Sequence, residues 1–259
     1  MQTISLYILN LLAPCRCKCR YCFLCSESKA LWLTELREAG AAHIDATFYG
    51  LEATHDVFAG RAGDFAYLLR ILRAAQALGY EAPCTFPITE ENKDETAPLL
   101  ALLEGEGLRQ FYGFLPDHRG RGAALEEIRL TRSSMEALPE KVRKCVNLPR
   151  YKTEAEWLRV GLEYPERRAL RLVLTQANIS HWESLAPAQI LAEIEALDDA
   201  YRAVLPPMEE LARLYGDSRN ERLYQARDLR WKWQASWLRE NNLDIYDVTN
   251  EYETGSVWL

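Results

Sequence analysis

The sequence predicts an α/β fold in which parallel strands curl into a barrel or a wound sheet, followed by a mainly helical C-terminal region. Three observations predict it. Strand-like runs at 43–49, 81–88 and 108–115 alternate with helix-like segments, as βαβ units require. Parallel neighbours need right-handed crossovers, so repeated units curl in one sense. From residue 187 onward the pattern is mostly helical, with segments at 188–204, 207–215 and 218–240.

The elements follow in order. Ile4-Ser5-Leu6-Tyr7-Ile8-Leu9 is rich in β-branched and aromatic residues and reads as a buried strand. A cysteine-rich loop spans 13–26. Residues 30–41 read as a short helix, with Leu31, Leu33, Leu36 and Ala39 near helical spacing. The strand at 43–49 leads into a polar loop over 51–63 that contains Gly60 and Gly63. Residues 64–78 form a strongly amphipathic helix closed by Gly79. After the strand at 81–88, Thr89 or Glu90 opens a helix to about residue 104, ended by Gly105 and Gly107. The stretch 133–166 is helical and charged, punctuated by Pro139, Pro149 and Pro165, and 169–175 is a candidate further strand. The pattern changes near 122–132 without a flexible linker, which divides the chain into a strand–helix part, 1–125, and a helical part, 126–259.

Bulk properties narrow the function. The 259 residues suffice for a sizeable core, and 48% hydrophobic with 27% charged residues is ordinary for a globular chain. A formal net charge of -7 argues against a general nucleic-acid or anionic-membrane surface. No apolar run is long enough to span a bilayer, and no basic residue precedes the N-terminal apolar stretch as a signal peptide requires. Five of the seven cysteines fall between positions 15 and 25. Clustered thiols in a chain with no export signal point to a reducing, cytoplasmic setting and to metal binding or redox work.

Within that cluster, Cys15, Cys19 and Cys22 have C-x3-C-x2-C spacing. Three thiolates on one loop can hold three irons of a [4Fe-4S] cluster and leave the fourth iron open to a small molecule. The neighbours Arg16, Lys18 and Arg20 favour thiolates over thiols. The loop follows the first strand directly, and active sites of such folds lie at the carboxyl ends of strands. The spacing, with aromatic Tyr21 before the last cysteine, resembles the signature of the radical S-adenosylmethionine (SAM) superfamily. Phe48-Tyr49-Gly50, then His55-Asp56, Gly60, Gly63 and Phe65, is similar to a central stretch of its peptide-modifying branch, and Gly120-Arg121-Gly122 to that branch's sixth-strand region.

The resemblance implies a partial (β/α) TIM-like barrel, with Cys15, Cys19 and Cys22 as cluster ligands and Tyr21 near the adenine of SAM. Thr47 and Tyr49 share one side of their strand and would line the SAM site or fill the barrel core. It implies that SAM chelates the open iron through its amino and carboxylate groups. One electron, from a flavodoxin- or ferredoxin-type donor, then breaks a carbon–sulfur bond, and the 5′-deoxyadenosyl radical abstracts hydrogen from a peptide or small-molecule substrate. The C-terminal helices are expected to cap the barrel mouth, because a radical must be shielded from water.

The sequence also departs from the family. The branch places two further strand–helix units between the cysteine loop and the segment at residue 43, the first with a Gly-Gly-Glu-Pro-like turn for the SAM amino group. Residues 26–42 contain no such motif, so either the barrel is shortened or a segment is missing between Cys25 and about Leu31. With only Cys84 and Cys145 elsewhere, no auxiliary-cluster extension is expected. The alternative function is a non-catalytic metal-binding or interaction protein: a degenerate relative, or a structural zinc protein using Cys17, Cys19, Cys22 and Cys25. Cys84 and Cys145 read as small buried hydrophobes. His55 and Asp56 read as a catalytic pair or, by the favoured reading, as groups that fix their loop by hydrogen bonds, and Trp233 and Trp237 as partners on one helix face. His43, His118 and His181 carry no assigned role.

Overall fold

The computed structural model describes residues 31–118, 120–164, 169–170, 179–243 and 249–250. The expected strand at 4–9, the cysteine loop and the connection from Cys25 to Leu31 lie outside the described residues.

The first half is α1 (Leu31–Glu38), β1 (Ala46–Thr47), α2 (Glu52–Ala59), α3 (Asp64–Ala77), β2 (Cys84–Pro87), α4 (Thr96–Gly105) and β3 (Phe111–Phe114). The strands form one parallel sheet in the order β1-β2-β3, with Ala46 opposite Cys84 and Cys84 opposite Phe111. Bridges from His43 to Glu81 and from Gly113 to Val146 prolong it. All four residues of β2 are buried, as a central parallel strand covered on both faces must be. Three strands are a portion of a sheet, and among the described residues they do not close into a barrel.

Helix α3 explains the packing. It starts after Gly63 and stops before Gly79, both in the left-handed conformation that glycine adopts without strain. Phe65 and Leu72 enter the core beneath the sheet with Phe48, Phe86, Ile88, Leu99 and Leu103. Ile71 and Ala75 turn instead to Leu33 and Tyr80, whose hydroxyl donates to the Leu33 carbonyl at 2.6 Å and docks α1.

The polar loop expected over 51–63 is instead largely helix α2. Its buried residues are His55, Phe58 and Ala59, an i, i+3, i+4 stripe too short to register as amphipathic. Helix α4 begins later than expected, because residues 89–92 are engaged elsewhere: Glu90 N–H donates to the Ile128 carbonyl, and Thr89 N–H donates to the Asn92 side chain.

Beyond a 3₁₀ segment (Gly120–Ile128), the chain forms α5 (Arg132–Ala137), α6 (Glu140–Lys144), β4 (Lys152–Thr153), α7 (Glu154–Val160), β5 (Ala169–Leu170), α8 (Ile179–Glu183), α9 (Pro187–Ala203), α10 (Met208–Tyr215), β6 (Leu223–Tyr224), α11 (Ala226–Glu240) and β7 (Thr249–Asn250). Strands β4 with β6, and β5 with β7, form two short antiparallel pairs. The strand expected at 169–175 is present as β5; its continuation lies outside the described residues. The helix expected from 218 begins at Ala226, because the preceding residues turn at Asp217–Asn220 and then pair with β4. Met135, Val142, Val146 and Leu223 pack into the core that holds the sheet. A second core gathers Trp157, Met208, Leu211, Tyr224, Leu229 and Trp233, with Trp237 packed against it, so Trp233 and Trp237 do share a face. Among the described residues no helix is long and apolar enough to cross a membrane.

Candidate functional site at the carboxyl ends of the strands

The end of β1 is held by side chains from three other elements. Tyr49 N–H donates to Nδ1 of fully buried His55 at 3.0 Å. That leaves the His55 proton on Nε2, which donates to Asp64 Oδ2 at 3.1 Å. The Tyr49 ring stacks on Phe58 at 4.6 Å. Asp56 accepts from Gly63 N–H at 2.5 Å and Phe65 N–H at 2.9 Å, which fixes the turn into α3. Desolvation raises the Asp56 carboxyl, but the backbone N–H donors of Phe65 and Gly63 outweigh it and hold it below its ordinary value. His55 and Asp56 thus shape their segment, as the sequence suggested.

Asn92, also buried, joins two strand ends. Its amide donates to the Tyr49 carbonyl at 2.9 Å and the Pro87 carbonyl at 2.8 Å, while its oxygen accepts from Thr89 N–H at 2.8 Å. Glu95 accepts from Leu51 N–H at 2.7 Å and from the Thr54 hydroxyl at 2.6 Å, tying α2 to the start of α4.

The C-terminal half meets the sheet at this same end. Leu115 N–H and the Gln225 amide both donate to the Tyr151 hydroxyl, at 3.3 Å and 2.9 Å. Burial pushes Tyr151 up to about 12. Arg227 pairs with Asp117 at 2.7 Å, and His118 N–H donates to buried Asp228. Burial, then Asp117, raises the Asp228 carboxyl against the pull of Arg129 and Arg227. Leu125 and Ile128 of the 3₁₀ segment pack with Tyr49 and Phe58.

Beside these strand ends opens a cleft of about 570 Å³, lined among others by Glu90, Glu126, Arg129, Arg222 and Lys232. Its floor is a connected charge network. Glu126 accepts from His118 Nδ1–H at 3.1 Å and from the Tyr224 hydroxyl, with Lys232 at 3.3 Å. Fully buried Glu154 accepts from Asp217 N–H, the Asn220 amide, Trp233 Nε1–H and Lys232. Desolvation raises the Glu126 carboxyl, but His118, Tyr224 and the nearby cations outweigh it and hold it well below its ordinary range. Desolvation lowers the Lys232 ammonium, but Tyr224, Glu126 and Glu154 outweigh it and hold it above its ordinary value. Burial and Glu126 push the Tyr224 hydroxyl up to about 12.

Of the sequence-predicted site residues, Cys15, Cys19, Cys22 and Tyr21 lie outside the described residues, as does the alternative zinc set. Thr47 and Tyr49 are both on β1 or its end: the Thr47 and Thr85 hydroxyls share a hydrogen bond at 2.8 Å, and Tyr49 is buried. Gly120-Arg121-Gly122 opens the 3₁₀ segment after β3. Cys84 is fully buried, and desolvation pushes its thiol up to about 12, consistent with an inert core residue. Cys145 is half-buried and its thiol is raised too, mainly by burial. Among the described residues no group of three His, Cys, Asp or Glu side chains is placed to hold a metal. Sequence reasoning missed Asn92, Glu95, Glu126 and Lys232, since each acts through partners distant along the chain.

No family model matches the sequence. Over 85 residues the chain is 32% identical to a pre-heme d1 synthase of Dinoroseobacter shibae, a match covering 33% of this chain and 21% of that protein. The chain thus spans about one fifth of the length of the curated relative it matches.

Proposed function

We propose that this chain is a radical SAM enzyme that reductively cleaves S-adenosylmethionine at a [4Fe-4S] cluster held by Cys15, Cys19 and Cys22, and so modifies a peptide or small-molecule substrate. The observation that carries the reading is the C-x3-C-x2-C spacing of Cys15, Cys19 and Cys22, and the 85-residue similarity to a pre-heme d1 synthase supports it. The parallel sheet agrees with it, since its carboxyl ends carry a dense set of polar, well-anchored side chains. The cluster, when bound, supplies the single electron, delivered to it by a flavodoxin- or ferredoxin-type donor of the cytoplasm. Thr47 and Tyr49, anchored by Thr85, His55 and Asn92, would line the cofactor site. Tyr21 is assigned to the adenine.

The test is anaerobic reconstitution with iron and sulfide, then addition of SAM and a reductant. Release of 5′-deoxyadenosine and broad visible absorption are expected, and Cys19→Ala should abolish both. Full cluster content in Cys19→Ala overturns the ligand assignment. A second reading, a non-catalytic metal-binding or interaction protein, is favoured by the missing Gly-Gly-Glu-type turn between residues 26 and 42. It predicts bound metal, zinc or iron, with no 5′-deoxyadenosine.

A further inference from the structure

We infer that the cleft beside the ends of β2 and β3 is a recognition site for a substrate segment that carries both charges, a peptide stretch with acidic and basic side chains interleaved. The inference rests on the enzyme reading above and adds where the substrate lies and what selects it.

The volume, about 570 Å³, falls within the range of ligand-binding clefts, roughly 300–1,000 Å³. Five carboxylates and four cationic side chains line it, so its net charge is close to balanced. On the floor, Lys232 lies between Glu126 and Glu154. On the rim, Arg222 pairs with Glu127 at 2.9 Å and Arg219 with Asp217 at 3.6 Å. A ligand of one sign gains little in such a field, because every attraction is offset by a neighbouring repulsion while the ligand still loses hydration. A ligand bearing both signs can exchange partners with the rim pairs one for one. Those rim groups face solvent: the Arg219 side chain is 93% exposed and that of Glu127 is 86% exposed. Lys232, which does line the cleft, is anchored from beneath, because its partner Glu154 is fully buried with four donors. An anchored lysine beneath a solvent-facing charged rim suits an extended segment laid along the cleft.

The test uses the full-length, anaerobically reconstituted protein and labelled hexapeptides, with binding read by fluorescence anisotropy. The probes are alternating Glu-Lys, hexaglutamate, hexalysine and a neutral Gly-Ser sequence. The alternating peptide should bind at least about tenfold tighter than each of the others. Arg219→Glu, an exposed change that leaves Lys232 and its partners intact, raises the excess of carboxylates over cations in the cleft from one to three. It should weaken the alternating peptide by about fivefold or more and strengthen hexalysine. Equal binding of the neutral peptide, no binding of the alternating one, or an order unchanged in Arg219→Glu overturns the inference. Binding is scored apart from 5′-deoxyadenosine release. Turnover of SAM without selective binding sinks the cleft assignment alone, and selective binding without turnover sinks only the enzyme reading.

Discussion

Asn92 shows how one side chain can set the relation of two strands. Its amide satisfies two carbonyls and its oxygen one N–H, all in a buried setting. Asn92→Leu leaves those backbone groups unpaired, each at about 1–3 kcal/mol, so a loss of about 3 kcal/mol or more is expected in urea unfolding. Asp56 makes a pH-dependent contribution. Its folded carboxyl titrates below its ordinary value, so the stability it adds is complete above the unfolded value, near ~4, and is lost as pH falls through the folded one. The urea midpoint of Asp56→Asn should therefore lie below wild type at pH 7 and converge with it at strongly acidic pH. A gap that stays constant across that range would rule out the carboxylate as its origin. The sequence made His55-Asp56 legible because both residues and their targets lie within 17 positions, from Tyr49 to Phe65. Asn92 was opaque, because its partner Tyr49 lies 43 positions away.

At the scale of elements, β2 and α3 were legible from sequence because each carries its own signal: an unbroken apolar run in one, glycine-bounded amphipathic periodicity in the other. Helix α2 was not, since what starts it comes from outside. Leu51, the residue before it, offers no side-chain cap, and Glu95 accepts from Leu51 N–H and Thr54 instead. Gly50 allows that approach. Its φ is +144°, and a Cβ there would stand 2.6 Å from Glu95 Oε2 and 2.7 Å from Thr54 Cγ2. Gly50→Ala therefore combines backbone strain with a collision that displaces the cap, and about 2–4 kcal/mol of destabilisation is expected. Hydrogen exchange should show the amides of α2 losing protection before those of α3. Equal protection in both helices would mean that Glu95 is not what holds α2.

Across the whole molecule, the two halves are joined by charge as well as by core, through the hydrogen bond of His118 to Glu126 and the pair of Asp117 with Arg227. Lys232 on α11 reaches Glu126 of the 3₁₀ segment and Glu154 at the start of α7, while Tyr224 of β6 also bonds Glu126. None of these partners was legible together in the sequence, because they lie between 28 and 106 positions from one another except for Tyr224 and Lys232. Lys232→Met removes the one group that, among the described residues, touches both carboxylates, and leaves Glu154 buried. Breaking a buried pair in this way costs about 3–5 kcal/mol, and the lower end is expected because the Lys232 side chain is 22% exposed. Glu126 is lowered and Lys232 raised, so the network adds stability across a plateau: it fades as acid protonates Glu126 and again as alkali deprotonates Lys232. The loss in Lys232→Met should accordingly be largest near neutral pH. Its distribution is also specified. Of the seven tryptophans, Trp157, Trp233 and Trp237 lie in or against the second core, so tryptophan fluorescence is weighted toward it, whereas far-UV circular dichroism reports on all the helices. If the network couples the halves, the two probes coincide in wild type and separate in Lys232→Met, with the tryptophan signal lost first. Coincident transitions in both proteins would show that apolar packing of Met135, Val142 and Leu223 against the sheet core is sufficient to hold the halves together.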